Sequence, residues 1–214
     1  MTPQLDYLII REIFARFQAV DPVPKGELIH LNAYTLLVAV ALSAQATDVS
    51  VNKATKALFE QVDTPAAMLE LGEAGLTEHI RTIGLFRNKA KNVIRLSQLL
   101  LERFGGEVPS SRAALMSLPG VGRKTANVVL QMWFGLPAQA VDTHVFRVGN
   151  RTGVAPGRDE AAVERAIEDN VPAEHLGHSH HWLILHGRYI CTARKPRCAE
   201  CPIIDLCAFE EKTA

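Results

Sequence analysis

The chain has no cysteine in its first 190 residues, no excess of charge of either sign, and no long apolar run. Lys+Arg and Asp+Glu stand at 23 each, so overall charge points to no particular partner. The longest apolar stretch, roughly Leu36 to Leu42, falls far short of the ~20 residues a membrane span needs. There is no sign of a secretory leader, because the opening MTPQLDYLIIREIFARF is amphipathic and carries charges within its apolar stretch. The expected location is therefore cytoplasmic. Strand-like alternation is absent, as are internal repeats and low-complexity segments. What is left is a 214-residue chain with 48% apolar content and a mean hydropathy of +0.06, enough for one or two domains with a proper core.

Helical periodicity is present nearly everywhere. Pro3–Gln18 carries Leu5, Leu8, Ile9, Ile13 and Phe17 at 3–4 spacing. Asn32–Ala44 is apolar almost all round and reads as a central helix covered by its neighbours. Val49–Gln61, Thr77–Ile83, Asn88–Phe104, Ser111–Ser117, Arg123–Phe134, Asp159–Asn170 and Ser179–Ile190 follow, with Gly and Pro between them. The expectation is an all-α fold with a boundary near Gly135–Gln139. Charge is uneven along it. Six cations against the single acid Glu102 lie between Arg81 and Arg103, and four cations with no acid lie between Arg188 and Arg197. Such local faces suit a ligand with a negative backbone, although a solvated helix face is an equal rival for either run.

The stretch LPGVGRKTAN, Leu118–Asn127, is a glycine turn feeding a helix, and such a turn can cradle a phosphate on free amides and the positive dipole end. It is not the nucleoside-triphosphate loop, because Arg123 stands where that motif needs glycine before Lys-Thr. Nor is it the dinucleotide fingerprint, since the segment before it is helical rather than a strand. All four cysteines lie in the tail, at Cys191, Cys198, Cys201 and Cys207, with six, two and five residues between them. Four thiols in one short loop suit a metal centre, and the spacing by itself allows either an iron–sulfur cluster or zinc.

Turn, helix and tail together resemble the endonuclease III family, bifunctional DNA base-excision glycosylases of the helix-hairpin-helix superfamily. The matching stretches are LSAQATD (Leu42–Asp48), IGLFRNKA (Ile83–Ala90), LPGVGRKTAN, AVDTHVFRV (Ala140–Val148), HHWLILHGRYIC (His180–Cys191) and the cysteine tail. They span nearly the whole chain. The resemblance implies two α-helical lobes with duplex DNA bound across the cleft between them. One is a six-helix barrel domain containing the helix-hairpin-helix, residues 26–136. The other, residues 1–25 plus 137–214, holds a C-terminal [4Fe–4S] cluster loop ligated by Cys191, Cys198, Cys201 and Cys207. It further implies a monomer acting on double-stranded DNA with damaged bases or abasic sites, nucleoid-associated when bound.

Within that resemblance Lys124 matches the Schiff-base lysine. A lysine attacks only as the free amine, and the helix start and adjacent Arg123 both oppose a further cation there; partial burial would act the same way. Asp142 reads alone as a helix N-cap; in the family the matching aspartate also supports the departing base's cationic sugar. Gly120, Val121, Gly122 and Arg123 form the hairpin that grips a DNA phosphate through the backbone, with Thr125 adding a hydroxyl. His144 faces a phosphate near the site. A flipped base leaves a hole, and Gln45 matches the residue that fills it, with Leu85 the opposing apolar wedge. Ser43, Asp48 and Arg188 correspond to positions near the base pocket. Arg194 and Lys195 make a basic finger for phosphate. Phe86 stands where the family often has tyrosine. His178, His180 and His181 suggest a second metal, but two of them fall in a matching segment in which they are not ligands, so none is expected. An adenine-mismatch glycosylase of the same superfamily lacks the lysine, a non-catalytic DNA-binding module needs neither Lys124 nor Asp142, and an electron carrier has little use for the hairpin.

Overall fold

The computed structural model describes residues 3–213, and every regular element among them is helical. Residues 1, 2 and 214, part of the expected domain ranges, lie outside the described residues. Among the described residues no helix is long and apolar enough to cross a membrane. Helix α1 (Tyr7–Val20) is followed by α2 (Ala33–Leu42), α3 (Asp48–Phe59), α4 (Pro65–Ile80), α5 (Phe86–Phe104), α6 (Arg112–Met116) and α7 (Arg123–Met132). Then come α8 (Thr143–Thr152), α9 (Glu160–Asn170) and α10 (Ala173–Tyr189). The contacts divide the chain into two units, Glu27–Gly135, and Met1–Gly26 with Leu136–Ala214.

In the Glu27–Gly135 unit, α2 is the central helix its composition calls for. Its start is set by a reciprocal cap: Thr35 N donates to Asn32 Oδ1 and Asn32 N donates to Thr35 Oγ1, both at 2.9 Å. Leu36, Leu37 and Leu42 are fully buried, with Leu58, Met68, Leu76, Leu96 and Leu100 from the surrounding helices. The Tyr34 and Ser97 hydroxyls meet at 2.6 Å between α2 and α5, so these two buried groups satisfy one another. Helix α5 packs along α4 and buries the stripe Ala90, Val93, Leu96 and Leu100.

The other unit is built on Ile10, Ile13, Phe14 and Phe17 of α1, Val145 and Val148 of α8, Val163 and Ile167 of α9, and Trp182 and Leu183 of α10. Ile203, between the last two cysteines, belongs to the same core, so the cysteine tail is packed rather than draped. Trp182 Nε1 donates to the Asp21 carbonyl at 2.8 Å, tying α10 to the end of α1. Helices α8 and α10 approach closely because residue 187 is glycine: a Cβ there would stand 2.9 Å from His144 Cβ.

Several boundaries differ from those expected. Helix α1 starts at Tyr7, where Asp6 accepts from Leu8 N at 2.9 Å, and not at Pro3. Only the end of α4 was expected; its first half follows the Thr64 cap and Pro65, and a break at Gly72 (φ 73°) hides the periodicity. Helix α8 was not among the expected segments, and α10 begins at Ala173 rather than Ser179.

Candidate functional site

The hairpin is built by α6, a tight turn and α7. Val121 N donates to Leu118 O at 3.2 Å, closing the turn over the buried side chains of Leu118 and Val121. Arg112 Nε donates to Asn127 Oδ1 at 2.7 Å and locks α6 to α7. The two glycines do different work. Gly120 has φ 77° and lies against Asn92, where a Cβ would come within 3.1 Å, so the backbone conformation requires it. Gly122 is extended, a Cβ on it would meet nothing, and it caps α7 without a side chain. What it provides is open space in front of the first-turn amides, which is where an anion is held. Gly122, Arg123 and Lys124 are exposed and Thr125 is half-buried. The protein does not itself bury Lys124, which sits in the first turn of α7, beyond the face that begins at Ala126.

Gln45 and Leu85 share an unexpected property. Among the described residues they are the two non-glycine residues with positive φ, 55° and 60°. Each is exposed, and their turns are neighbours, since a Cβ on Gly84 would stand 4.0 Å from the Gln45 carbonyl. Left-handed backbone costs such residues on the order of 1 kcal/mol or more, and it concentrates where side chains are aimed for function. Beside them Ser43 donates to its own helix at Val40 O, 2.9 Å, as a C-terminal cap, and Asp48 lies half-buried in the first turn of α3. Arg87 covers the Phe86 ring at 4.9 Å.

In the other unit, one oxygen of Asp142 accepts from His144 N and Val145 N, both at 2.8 Å, so Asp142 is a helix cap as its position suggests. His144 is half-buried, and its Nδ1 lies 3.2 Å from Arg147 Nη2. A guanidinium can only donate, so Nδ1 accepts and the ring proton sits on Nε2. Arg147 also donates to Gly187 O at 2.7 Å and to Cys191 O at 3.0 Å, linking α8 to the end of α10 and the first cysteine. Arg188 is half-buried in the last turn of α10.

The four thiols are unpaired with one another, half-buried, and line one pocket together with His186 and Arg197. His186 Nε2 is 3.7 Å from Cys201 Sγ; burial pushes this imidazole down to about 4, so it stands neutral beside the sulfur. From the α1 side, Arg16 grips Asp205 through two bonds of 2.6 and 3.0 Å and donates to Pro202 O at 3.1 Å. Arg194 and Lys195 are exposed on the loop that Arg197 N closes by donating to Ile190 O at 2.9 Å. Among the described residues no three His, Cys, Asp or Glu side chains close around the point of a single ion. The donor set nevertheless fits an inorganic centre. Burial first, and the neighbouring thiols Cys207, Cys191 and Cys198, push the Cys201 thiol up to about 11, so this pocket holds thiolates only with a positive centre to balance them.

Comparison with known proteins agrees with this geometry. A family model described as HhH-GPD superfamily base excision DNA repair protein matches residues 38–173, and one for the iron-sulfur binding domain of endonuclease III matches residues 191–207. Endonuclease III of Escherichia coli (strain K12) is 58% identical over 201 residues, covering 94% of this chain and 95% of that protein. The chain belongs to the endonuclease III family. The Rickettsia conorii member is 56% identical, again across 94% of this chain and 96% of its own. A solved structure of a trapped endonuclease III–DNA covalent intermediate superimposes with a TM-score of 0.88 at 45% identity, covering 95% of this chain and 96% of that one. A thermostable thymine-DNA glycosylase gives 0.83 at 27% identity, with 97% of each chain covered. As a member of the family, the chain is a bifunctional DNA glycosylase and AP lyase of base excision repair, and its cofactor is a [4Fe–4S] cluster.

Sequence reasoning missed Arg16, Arg147 and Arg151. The last two are four residues apart on α8, a spacing that puts both on one face, and that was the one signal available.

Proposed function

We propose that this chain removes oxidised pyrimidines from duplex DNA and then nicks the abasic strand, with Lys124 as the nucleophile. The observation that carries the reading is the placement of Lys124: it is exposed, in the first turn of α7, beside a turn that Gly120 bends and Gly122 leaves open. The relative trapped as a covalent intermediate with DNA supports a covalent route. Amides of the Gly120–Arg123 turn, with the Thr125 hydroxyl, hold a backbone phosphate and fix the register of the duplex.

The Lys124 amine attacks C1′ of the damaged nucleotide. The bond from C1′ to the base breaks, and the base departs with that electron pair and takes up a proton. Asp142, its carboxylate held in place by the two cap bonds, stabilises the positive charge that develops on the sugar. The C1′–O4′ bond then opens, O4′ taking up a proton as the amine loses one, and the Schiff base so formed at C1′ makes the C2′ proton acidic. Loss of that proton breaks the C3′–O bond by β-elimination, and water then releases the lysine.

Gln45 fills the gap left by the flipped nucleotide and Leu85 wedges from the other side; their positive φ values support a backbone held for that purpose. Ser43, Asp48 and Arg188 shape the base pocket, and His144, Arg194 and Lys195 contact phosphates. Cys191, Cys198, Cys201 and Cys207 hold the cluster, which supplies a rigid scaffold for the basic finger rather than a redox step, since the lyase reaction has no net redox change. Residues 26–136 act as the six-helix barrel domain, and residues 1–25 with 137–214 as the cluster domain. The protein works as a monomer in the cytoplasm, on the nucleoid when bound.

Borohydride trapping on thymine-glycol duplex DNA tests the reading. Wild-type protein is expected to form a covalent adduct and Lys124→Ala none. An adduct that persists in Lys124→Ala overturns the lysine assignment, and a wild type that neither traps nor nicks supports a non-catalytic binding module.

A further inference from the structure

The last turn of α8 holds both ends of the cysteine loop. Arg151 is half-buried there, and each end of its guanidinium is used. Nη1 donates to Thr192 O at 2.7 Å and lies 3.8 Å from Cys191 Sγ, within the range of a hydrogen bond to sulfur. Nη2 donates to Ala193 O at 2.8 Å. The guanidinium plane lies over the Phe209 ring, 4.8 Å from its centroid. Phe209 follows Cys207 by two residues and itself lines the cysteine pocket. The neighbouring Thr152 O accepts from Ala208 N at 3.1 Å, so one turn of helix engages the segments beyond both the first and the last cysteine.

We propose that Arg151 is a positioning residue of the [4Fe–4S] site, closing the cysteine loop and raising the reduction potential of the cluster through its contact with Cys191 Sγ. The inference rests on Cys191 being a cluster ligand. Two physical effects follow from the same side chain. Its rigid fork satisfies two carbonyls that begin the loop and stacks on the ring that ends it, which a single ammonium point charge cannot do. Its N–H and its permanent positive charge face a ligand sulfur, and both favour the more negative, reduced state of the centre. Arg147, on the same face of α8, reaches only the carbonyl of Cys191 and not its sulfur, so the two arginines divide the work.

The test uses purified, cluster-loaded full-length protein without DNA, comparing wild type with Arg151→Lys, Arg151→Gln and Phe209→Leu. Loss of the cluster's visible absorbance in the presence of an iron chelator is followed, and the reduction potential is measured by protein-film voltammetry. Both Arg151 variants are expected to lose the cluster about 10-fold faster or more, the scale seen for removal of groups that support metal ligands. The potential should shift to more negative values in Arg151→Gln, and by less in Arg151→Lys, which keeps the charge. Phe209→Leu should speed loss while leaving the potential in place. Wild-type loss rate and potential in both Arg151 variants overturn the proposal; faster loss with an unmoved potential in Arg151→Gln overturns its electronic half. Cys191→Ser is run alongside: a wild-type cluster spectrum there refutes the ligand assignment itself, whatever the Arg151 variants do.

Discussion

Replacing Gln45 by Asn separates what the backbone costs from what the side chain does. Gln45 is exposed and sits at φ 55°, so it carries backbone strain and loses no packing when shortened. Left-handed backbone costs an ordinary L-residue about 1–2 kcal/mol, and asparagine tolerates that region because its short amide bonds locally. Recovery of part of the penalty is expected to stabilise the protein by about 0.5–1 kcal/mol, which for a chain of this size is a rise in Tm of roughly 1–4 °C. The same change withdraws the amide by one methylene from the base it is proposed to pair with. Loss of one or two such hydrogen bonds, at about 1 kcal/mol each, corresponds to a roughly 10-fold fall in single-turnover base release. The assay is a pair of measurements on one preparation, calorimetric Tm and excision from thymine-glycol duplex. Gln45→Gly, which relieves the same φ but has no amide, should lose at least as much activity. A Gln45→Asn protein that is destabilised refutes the strain argument. One that is stabilised and excises at the wild-type rate refutes the gap-filling role.

Two further outcomes follow from the turn and from α10. Gly120→Ala meets both a left-handed φ and the Asn92 Cβ at 3.1 Å, so a loss of about 1–2 kcal/mol is expected in urea unfolding, and Asn92→Ala added to it should recover little, because alanine keeps that Cβ and removes only the amide atoms at 3.2 and 3.4 Å. Burial above all, with His178 adding and Asp21 opposing, pushes His181 down to about 4. Above pH ~6.5 both folded and unfolded chains hold it neutral; as pH falls from there to about 4 the unfolded chain takes a proton that the folded one refuses. Stability should therefore drop by about 3 kcal/mol across that window. His181→Leu removes no bond, since neither ring nitrogen has a partner, and should flatten the drop when unfolding is measured at pH 7 and pH 4.5; an unchanged pH dependence would refute the assignment.

The parts legible in the sequence are those whose cause is local. The apolar run of α2 and the 3–4 stripe of α5 announce themselves because burial of one helix needs nothing but its own spacing. The hairpin was legible as chemistry, yet its two glycines read alike, and only the backbone distinguishes Gly120, which must bend, from Gly122, which must stay out of the way. The first half of α4 was hidden by Gly72, and α8 by its polarity: between its caps Val145 and Val148 join the core and Phe146 packs against it, while Arg147 and Arg151 occupy the other face. Their purpose lies 40 or more residues away, in the carbonyls that open the cysteine loop. No periodicity signals a bond of that span.

Net charge says nothing about where each cation points. A guanidinium facing a loop carbonyl and one facing solvent add equally to a net charge, although the first sets local structure and the second adds to a surface field. Of the cations in the α1 and α8 helices, Arg16, Arg147 and Arg151 are turned toward the cysteine loop, whereas Arg194 and Lys195 on the loop itself are turned outward. The loop is thus held by arginines behind it and presents a second set in front. A neutral chain can in this way carry a basic contact surface, because acids such as Asp205 balance the sum while helping to fix the loop, the hydrogen bond from Arg16 holding the Asp205 carboxyl below its ordinary value.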